Sequence, residues 1–280
     1  MDASDTCADA QIALWNGPAA DGWVQAQPLL DALFAPFSER LVEVARTRSA
    51  RSVIDVGCGT GATTLALAEA LGSGAHCVGV DVSAPMIAAA QARALASASA
   101  ARFVCADAAR HDFAPGAADL IVSRFGVMFF ERPVDAFAHL RAALRSGGAL
   151  HAIAWRGSDE NAFMTTAERA AAPLLPGLPA RRPGAPGPFA FADRTFVREV
   201  LAHSGWQDID IHPLDVDCAL PASELERYFT LLGPVGVALQ QTDADTRARV
   251  IDVLHEAFRP YLAGGAVRFT AACWMVSARA

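Results

Sequence analysis

The chain lacks the marks of several protein classes. Its six cysteines, Cys7, Cys58, Cys77, Cys105, Cys218 and Cys273, include no Cys-x-x-Cys spacing and no paired arrangement. That excludes a zinc ribbon or a disulfide frame as the organising device. Three of them lie in or beside apolar runs, where cysteine behaves as a small hydrophobe, so a reducing compartment is expected. Basic residues form no run: Arg46, Arg48 and Arg51 are spaced apart, Arg181 and Arg182 stand as a pair, and the net charge is −7. A phosphate-backbone binder needs a basic face, so no nucleic-acid partner is expected. No apolar stretch reaches the length of a bilayer span. The first residues, Met-Asp-Ala-Ser-Asp-Thr, are acidic and carry no apolar core of a secretory signal, so a cytoplasmic location is expected. Internal repeats and a second nucleotide motif are also missing, and no histidine or cysteine cluster suggests a metal.

What is present is a chain of 280 residues, 53% hydrophobic, much of it alanine. That suits one domain with an elaborated cap. Apolar residues recur at helical spacing from Pro28 to Arg46. Strands then alternate with helices. The strands are Ser52–Val56, His76–Val80 ending in Asp81, Arg102–Ala106 ending in Asp107, Asp119–Ser123, and Ala149–Trp155 after a Gly147-Gly148 turn. The helices include one through Leu65–Leu71, one opening after Ser83 and one over Pro133–Leu144. This rhythm predicts a parallel sheet covered on both faces, doubly wound by right-handed crossovers.

Beyond Trp155 the pattern loosens. Residues 173–188 are too rich in proline and glycine for regular structure. Asp193 is placed to cap a helix over Arg194–His203. Two strand-like runs, Gln207–Asp217 and Val267–Ala278, close the chain and bring the sheet to seven strands. Between them a helical insertion at 222–262 has segments near Glu224–Leu232 and Thr246–Phe258, and reads as either a lid or a homodimer surface. The expected organisation is one domain over 1–280, with a helical cap at 1–48, a ligand-binding core at 49–155 and a C-terminal part at 156–280.

The most informative stretch joins the first strand to its helix. Val53, Ile54 and Val56 are β-branched, Asp55 sits among them, and Gly57, Gly59 and Gly61 alternate before an Ala/Leu-rich helix. Glycine permits positive φ and close approach of a ligand to bare backbone. The helix N-terminus adds free N–H groups. Ligands in such sheets bind beyond the carboxyl ends of the strands, where Asp81 and Asp107 also fall. The motif has a competitor: Gly57-x-Gly59-x-x-Ala62, with Asp81 about twenty residues on, also satisfies the relaxed dinucleotide fingerprint of an NAD(P)-dependent oxidoreductase.

Val53-Ile-Asp-Val-Gly-Cys-Gly-Thr-Gly61 resembles motif I of the class I S-adenosylmethionine-dependent methyltransferases. The resemblance extends through Gly79-Val-Asp-Val-Ser83, Asp107, Asp119-Leu-Ile-Val-Ser123 and Leu144-Arg-Ser-Gly-Gly148, with Ser146 where the family usually has proline. Leu14-Trp-Asn-Gly-Pro18 and Gly187-Pro-Phe-Ala-Phe-Ala-Asp193 resemble the small-molecule, ubiquinone/menaquinone-type (type 11) members more loosely. The resemblance implies a Rossmann-like fold and S-adenosylmethionine as methyl donor, with S-adenosylhomocysteine as product. It implies that Gly57, Cys58, Gly59 and Gly61 wrap the methionine portion, and that Asp55 receives the ammonium. Asp81, with Val82 beside it, would take the ribose hydroxyls. Met86 would cover the adenine, and Asp107 and Ala108 would bind its edge. Ser123 would lie beneath the reactive centre. Trp15, Trp23, Arg124, Phe129 and Trp155 are candidate walls for a small-molecule acceptor. None of His111, His139, His151, His203 and His212 stands out as a general base. A non-catalytic S-adenosylmethionine-binding protein is the third reading.

Overall fold

The computed structural model describes residues 11–182 and 184–280, so residues 1–10 of the expected cap, Cys7 among them, lie outside the described residues. In chain order the elements are α1 (Pro18–Gln25), α2 (Gln27–Thr47), β1 (Ser52–Val56), α3 (Ala62–Leu71), β2 (His76–Asp81), α4 (Ala84–Ala96), β3 (Arg102–Cys105), β4 (Ala118–Arg124), α5 (Pro133–Ala143), β5 (Leu144–Trp155), α6 (Ala162–Ala171), α7 (Arg194–His203) and β6 (Gln207–Pro221). Then follow α8 (Leu225–Leu231), α9 (Gly233–Leu239), α10 (Ala244–Phe258), β7 (Leu262–Ala263) and β8 (Ala266–Arg279).

The strands form one sheet in the order β3-β2-β1-β4-β5-β8-β6. Strands β3, β2, β1, β4 and β5 pair in parallel, and β8 runs antiparallel between β5 and β6. The seven expected strands are joined by an eighth, the two-residue β7, which folds back on β8 across Gly264-Gly265, both at positive φ. This is the doubly wound, mostly parallel Rossmann-like arrangement, and its order reverses beside β1. Ile121 and Leu150, both 0% exposed, sit in register at the centre of the core.

Several boundaries differ from the sequence reading for local reasons. Strand β5 starts at Leu144, not Ala149, because Leu144 pairs with Ala118 before the register jumps to Ala149 opposite Leu120. The Gly147-Gly148 segment is therefore a bulge within the strand, with Gly147 at φ 77°. Helix α9 went unread because Gly233-Pro234 looks like a turn. Proline in a first helical turn needs no N–H partner, and here it opens a helix. Helix α6 was unread too; it buries Phe163, Thr165 and Thr166.

The N-terminal helices and the insertion pack on one another. Helix α2 buries Leu33, Phe37 and Leu41. Helix α1 meets α8 so closely that a Cβ on Gly22 would run into the carbonyl oxygen of Leu231, and Arg227 of α8 donates to the Gln25 carbonyl oxygen. Because that contact is backbone on backbone, neither side can yield. Gly22→Ala is expected to cost about 1–3 kcal/mol in urea unfolding, whereas Gly177→Ala, with nothing nearby, stays within about 0.5 kcal/mol.

Candidate functional site

The loop after β1 is held to its neighbours by backbone contacts. The N–H groups of Gly57 and Cys58 both donate to the Val80 carbonyl oxygen, at 2.9 and 3.2 Å, which ties the loop to the end of β2. Gly57 has φ 68°, and a Cβ there would lie 2.6 Å from the Cα of Gly126 in the loop after β4. Gly61 has φ 87°, and a Cβ there would press on the Phe103 ring at 2.7 Å. Gly59 is different. Apart from the Met86 sulfur at 3.7 Å, nothing stands where its Cβ would go. Two of the three glycines are thus demanded by packing, and the middle one bares backbone to open space.

Two carboxylates flank that space. Asp81 ends β2 and accepts from the Gly59 N–H through Oδ2 (2.8 Å) and from the Ser83 N–H through Oδ1 (2.9 Å). Burial raises its pKa, and the three backbone donors of Ser83, Gly59 and Val82 oppose the rise. Each oxygen keeps a lone pair for another donor. Asp55 is 1% exposed. Its Oδ2 accepts from the Thr64 hydroxyl at 2.6 Å, while its Oδ1 is buried with no partner among the described residues. Burial pushes the Asp55 carboxyl up to about 6, with the Thr64 bond and the Arg124 charge pulling the other way and Asp81 adding to the rise. An orphaned carboxylate oxygen is costly in a native interior and calls for a donor or a cation.

Asp107 closes a turn, accepting from the Ala109 N–H at 2.9 Å and facing Arg110 at 3.9 Å, with Ala108 buried next to it. Val82 offers its carbonyl oxygen to Asn16. Met86 is buried, with its sulfur against Gly59, so it supports the loop from the side of α4.

Other expected contacts are committed elsewhere. Ser123 is 0% exposed; its hydroxyl donates to the Val56 carbonyl oxygen at 2.8 Å and accepts from the N–H groups of Gly126 and Val127. It positions the loops and has no capacity left for a ligand. The Cys58 thiol points into a small core with Ile87, Ala90 and Phe103, where burial raises its pKa, so only the Cys58 backbone belongs to the loop. Trp155 stacks on Phe125 at 4.4 Å and sits among Phe34 and Phe37; it is core and not an open wall. Trp15 does meet Trp23 (5.8 Å) and Phe129 (5.2 Å), both edge to face. Arg124 lies under α2, donating to the Ser38 hydroxyl at 3.0 Å and to the Phe34 carbonyl oxygen at 3.4 Å.

Asn16 went unnoticed although it sits in the quoted Trp-Asn-Gly-Pro segment. Its amide donates to the Val82 carbonyl oxygen at 3.0 Å and accepts from the Ala84 N–H at 2.9 Å. With Trp15 on Phe129, residues 11–17 therefore bridge the carboxyl ends of β2 and β4, across the glycine loop between them. Thr64 and Phe125 were missed as well. The Thr63-Thr64 pair opening an Ala/Leu-rich helix was the available signal for the first, and both threonines are buried. Phe125 holds φ 66°, an uncommon conformation for a bulky residue, clamped by its stack on Trp155. The histidines stand apart: His139 bonds the His111 carbonyl oxygen, and burial lowers His151 on β5 to about 4. A groove of about 790 Å³ lies along α2 and α3, lined by Asp31, Glu39, Arg46, Glu69 and Arg93, and reaches the end of the glycine loop at Ala62. Among the described residues no group of three His, Cys, Asp or Glu could hold a metal ion.

Asp55 sets a pH dependence whose sign follows from its raised pKa. Below 3.8 the carboxyl is protonated in both the folded and the unfolded chain and costs nothing. Between 3.8 and about 6 only the unfolded chain releases the proton, so the folding penalty grows; above about 6 it is constant. Asp55→Asn is expected to stabilise the ligand-free protein at pH 7 by up to about 3 kcal/mol in thermal unfolding, with the gain shrinking as pH falls toward 4.

A family model described as a methyltransferase domain matches residues 53–148. The chain is 25% identical over 260 residues to a nocamycin O-methyltransferase of Saccharothrix syringae, covering 85% of this chain and 88% of that one. It is 33% identical over 124 residues to a demethylmenaquinone methyltransferase of Thermus thermophilus, covering 44% of this chain and 56% of that one, so it spans only about half of that relative. The YcgJ protein of Bacillus subtilis has a similar fold, with a TM-score of 0.56 at 15% identity over 86% of this chain and 97% of that one.

Proposed function

We propose that the chain is a class I S-adenosylmethionine-dependent methyltransferase and that its acceptor is a small molecule with an apolar or aromatic body, seated between the N-terminal cap and the loop after β4. The observation that carries the assignment of the site is the orphaned, buried Oδ1 of Asp55 beside a glycine whose missing Cβ leaves open space. A ligand ammonium satisfies that oxygen, and a sulfonium-bearing amino acid end fits over bare backbone at Gly59. Asp81 would hold the ribose hydroxyls, and Asp107 with Ala108 the adenine edge. The dinucleotide reading leaves Asp55 without a partner and is not favoured.

S-adenosylmethionine supplies an activated methyl carbon. The residues of this chain align an acceptor with it and keep water away. Trp15, Trp23 and Phe129 form an aromatic wall, and Asn16 fastens that wall to the loop after β2. Much of the rate enhancement of an in-line displacement comes from such alignment. A proton acceptor is needed only for acceptors that lose a proton on attack. The names of the two relatives denote small-molecule acceptors, which supports the same class here. We read the insertion at 222–262 as part of the lid, because α8 packs on α1. The five described cysteines are all free thiols, which suits the cytoplasm. No helix among the described residues is long and apolar enough to cross a membrane.

Calorimetry with S-adenosylhomocysteine is expected to give micromolar binding, weakened about a hundredfold or more by Asp81→Ala. Heat with NADH and none with S-adenosylhomocysteine overturns the reading. Tight cofactor binding with no turnover across a broad panel of small-molecule acceptors points to the non-catalytic alternative. Affinity is also expected to fall as pH drops below about 6, by up to tenfold per pH unit, as protons compete for Asp55.

A further inference from the structure

We propose that Arg124 binds the carboxylate of the methyl donor's amino acid end, opposite Asp55, so that the two residues clamp the zwitterion between them. The inference rests on the methyltransferase reading and assigns a residue role within it. In the parallel pairing of β1 with β4, Asp55 stands opposite Val122. Register partners share a sheet face, and so do residues two apart on a strand. Asp55 and Arg124 therefore project to the same face, with Arg124 at the carboxyl end of β4 and Asp55 just before the glycine loop.

The two side chains carry opposite charge, yet no ion pair joins them among the described residues. Each is incompletely satisfied. Asp55 has its orphaned Oδ1. Arg124 uses only Nη1, on Ser38 and Phe34, and its Nε and Nη2 have no hydrogen-bond partner among the described residues. Those two nitrogens form one edge of the guanidinium, the edge that grips a carboxylate with two parallel hydrogen bonds. The Ser38 and Phe34 contacts, with the guanidinium over the Phe34 ring at 5.7 Å, hold it in place from the opposite side. Arg93, the other guanidinium near the loop, is spent on the Thr60 carbonyl oxygen and Asp31, both at 2.6 Å. An amino acid end needs an anion for its ammonium and a cation for its carboxylate within a few ångströms. The β1/β4 pair offers one of each, close enough for each to feel the other's charge but not joined by an ion pair among the described residues.

The test compares S-adenosylmethionine with its decarboxylated form, which keeps the ammonium and the sulfonium and lacks only the carboxylate. Calorimetry is run on the wild type, Arg124→Gln, Arg124→Lys and Asp55→Asn. The wild type is expected to prefer the carboxylated ligand by roughly tenfold or more. Arg124→Gln is expected to lose about ten- to a hundredfold toward S-adenosylmethionine and to keep its affinity for the decarboxylated form within about twofold, so the preference collapses. Arg124→Lys recovers part of it, and Asp55→Asn weakens both ligands. An unchanged preference in Arg124→Gln overturns the proposal. So does an equal loss of both ligands in Arg124→Gln and Arg124→Lys, which assigns Arg124 to holding α2 instead. A wild type that binds neither ligand overturns the methyltransferase reading itself, a separate result.

Discussion

The site depends on one close approach, that of Gly57 to Gly126. The loops after β1 and β4 cross with so little room that a Cβ on either glycine would fall within 2.7 Å of the other's Cα. The Ser123 hydroxyl locks the crossing by donating to the Val56 carbonyl oxygen just before Gly57 and accepting from the N–H groups of Gly126 and Val127. Everything functional on β1 and β4 is positioned by that crossing. Asp55 is two residues before it on one strand, and Arg124 is two before it on the other. Phe125 turns through a left-handed conformation between Arg124 and Gly126, and its stack on Trp155 holds it there.

Charge placement is costly at one point of the sheet. A carboxylate at 1% exposure with one oxygen unpartnered is a defect by the ordinary rules of folding. Elsewhere among the described residues, Gln11 Oε1 excepted, the buried side-chain polar groups are matched. Asn161 donates to the Ala272 carbonyl oxygen and accepts from the Ala272 N–H, both at 2.9 Å. Trp206 reaches the Phe137 carbonyl oxygen at 3.0 Å. Arg93 ties α4, the glycine loop and α2 together through Thr60 and Asp31. Against that background, the orphaned Asp55 oxygen beside the glycine loop is the exception that the proposed ligand would satisfy.

The cap extends the same economy. Segment 11–17 is short, yet the Asn16 amide and the Trp15 ring attach it to two different strand ends. Helix α1 then leans on the insertion, so distant parts of the chain form one cover.

The sequence by itself determined the sheet, the glycine loop and the carboxylates at the strand ends, because these are local signals. Strand and helix periods, glycine spacing and an acid closing a strand are each written within a few residues. It also pointed to the methyl donor, through the resemblance carried by Asp55, the three alternate glycines, Asp81 and Asp107. Which glycine faces the ligand was not legible. Gly57 and Gly61 are required by Gly126 and Phe103, and Gly59 alone opens on space, a distinction created by residues far away in the chain. Where the side chains of Ser123, Trp155 and Cys58 turn was not legible for the same reason, since a side chain at a strand end or in a loop can turn toward a neighbouring loop, a core or a ligand. Asn16 and Arg124 acquire meaning only when α2 and the N-terminal segment close over β4 and β2. Tertiary structure decided those roles because hydrogen-bond saturation, unlike periodicity, depends on every group that folding brings near.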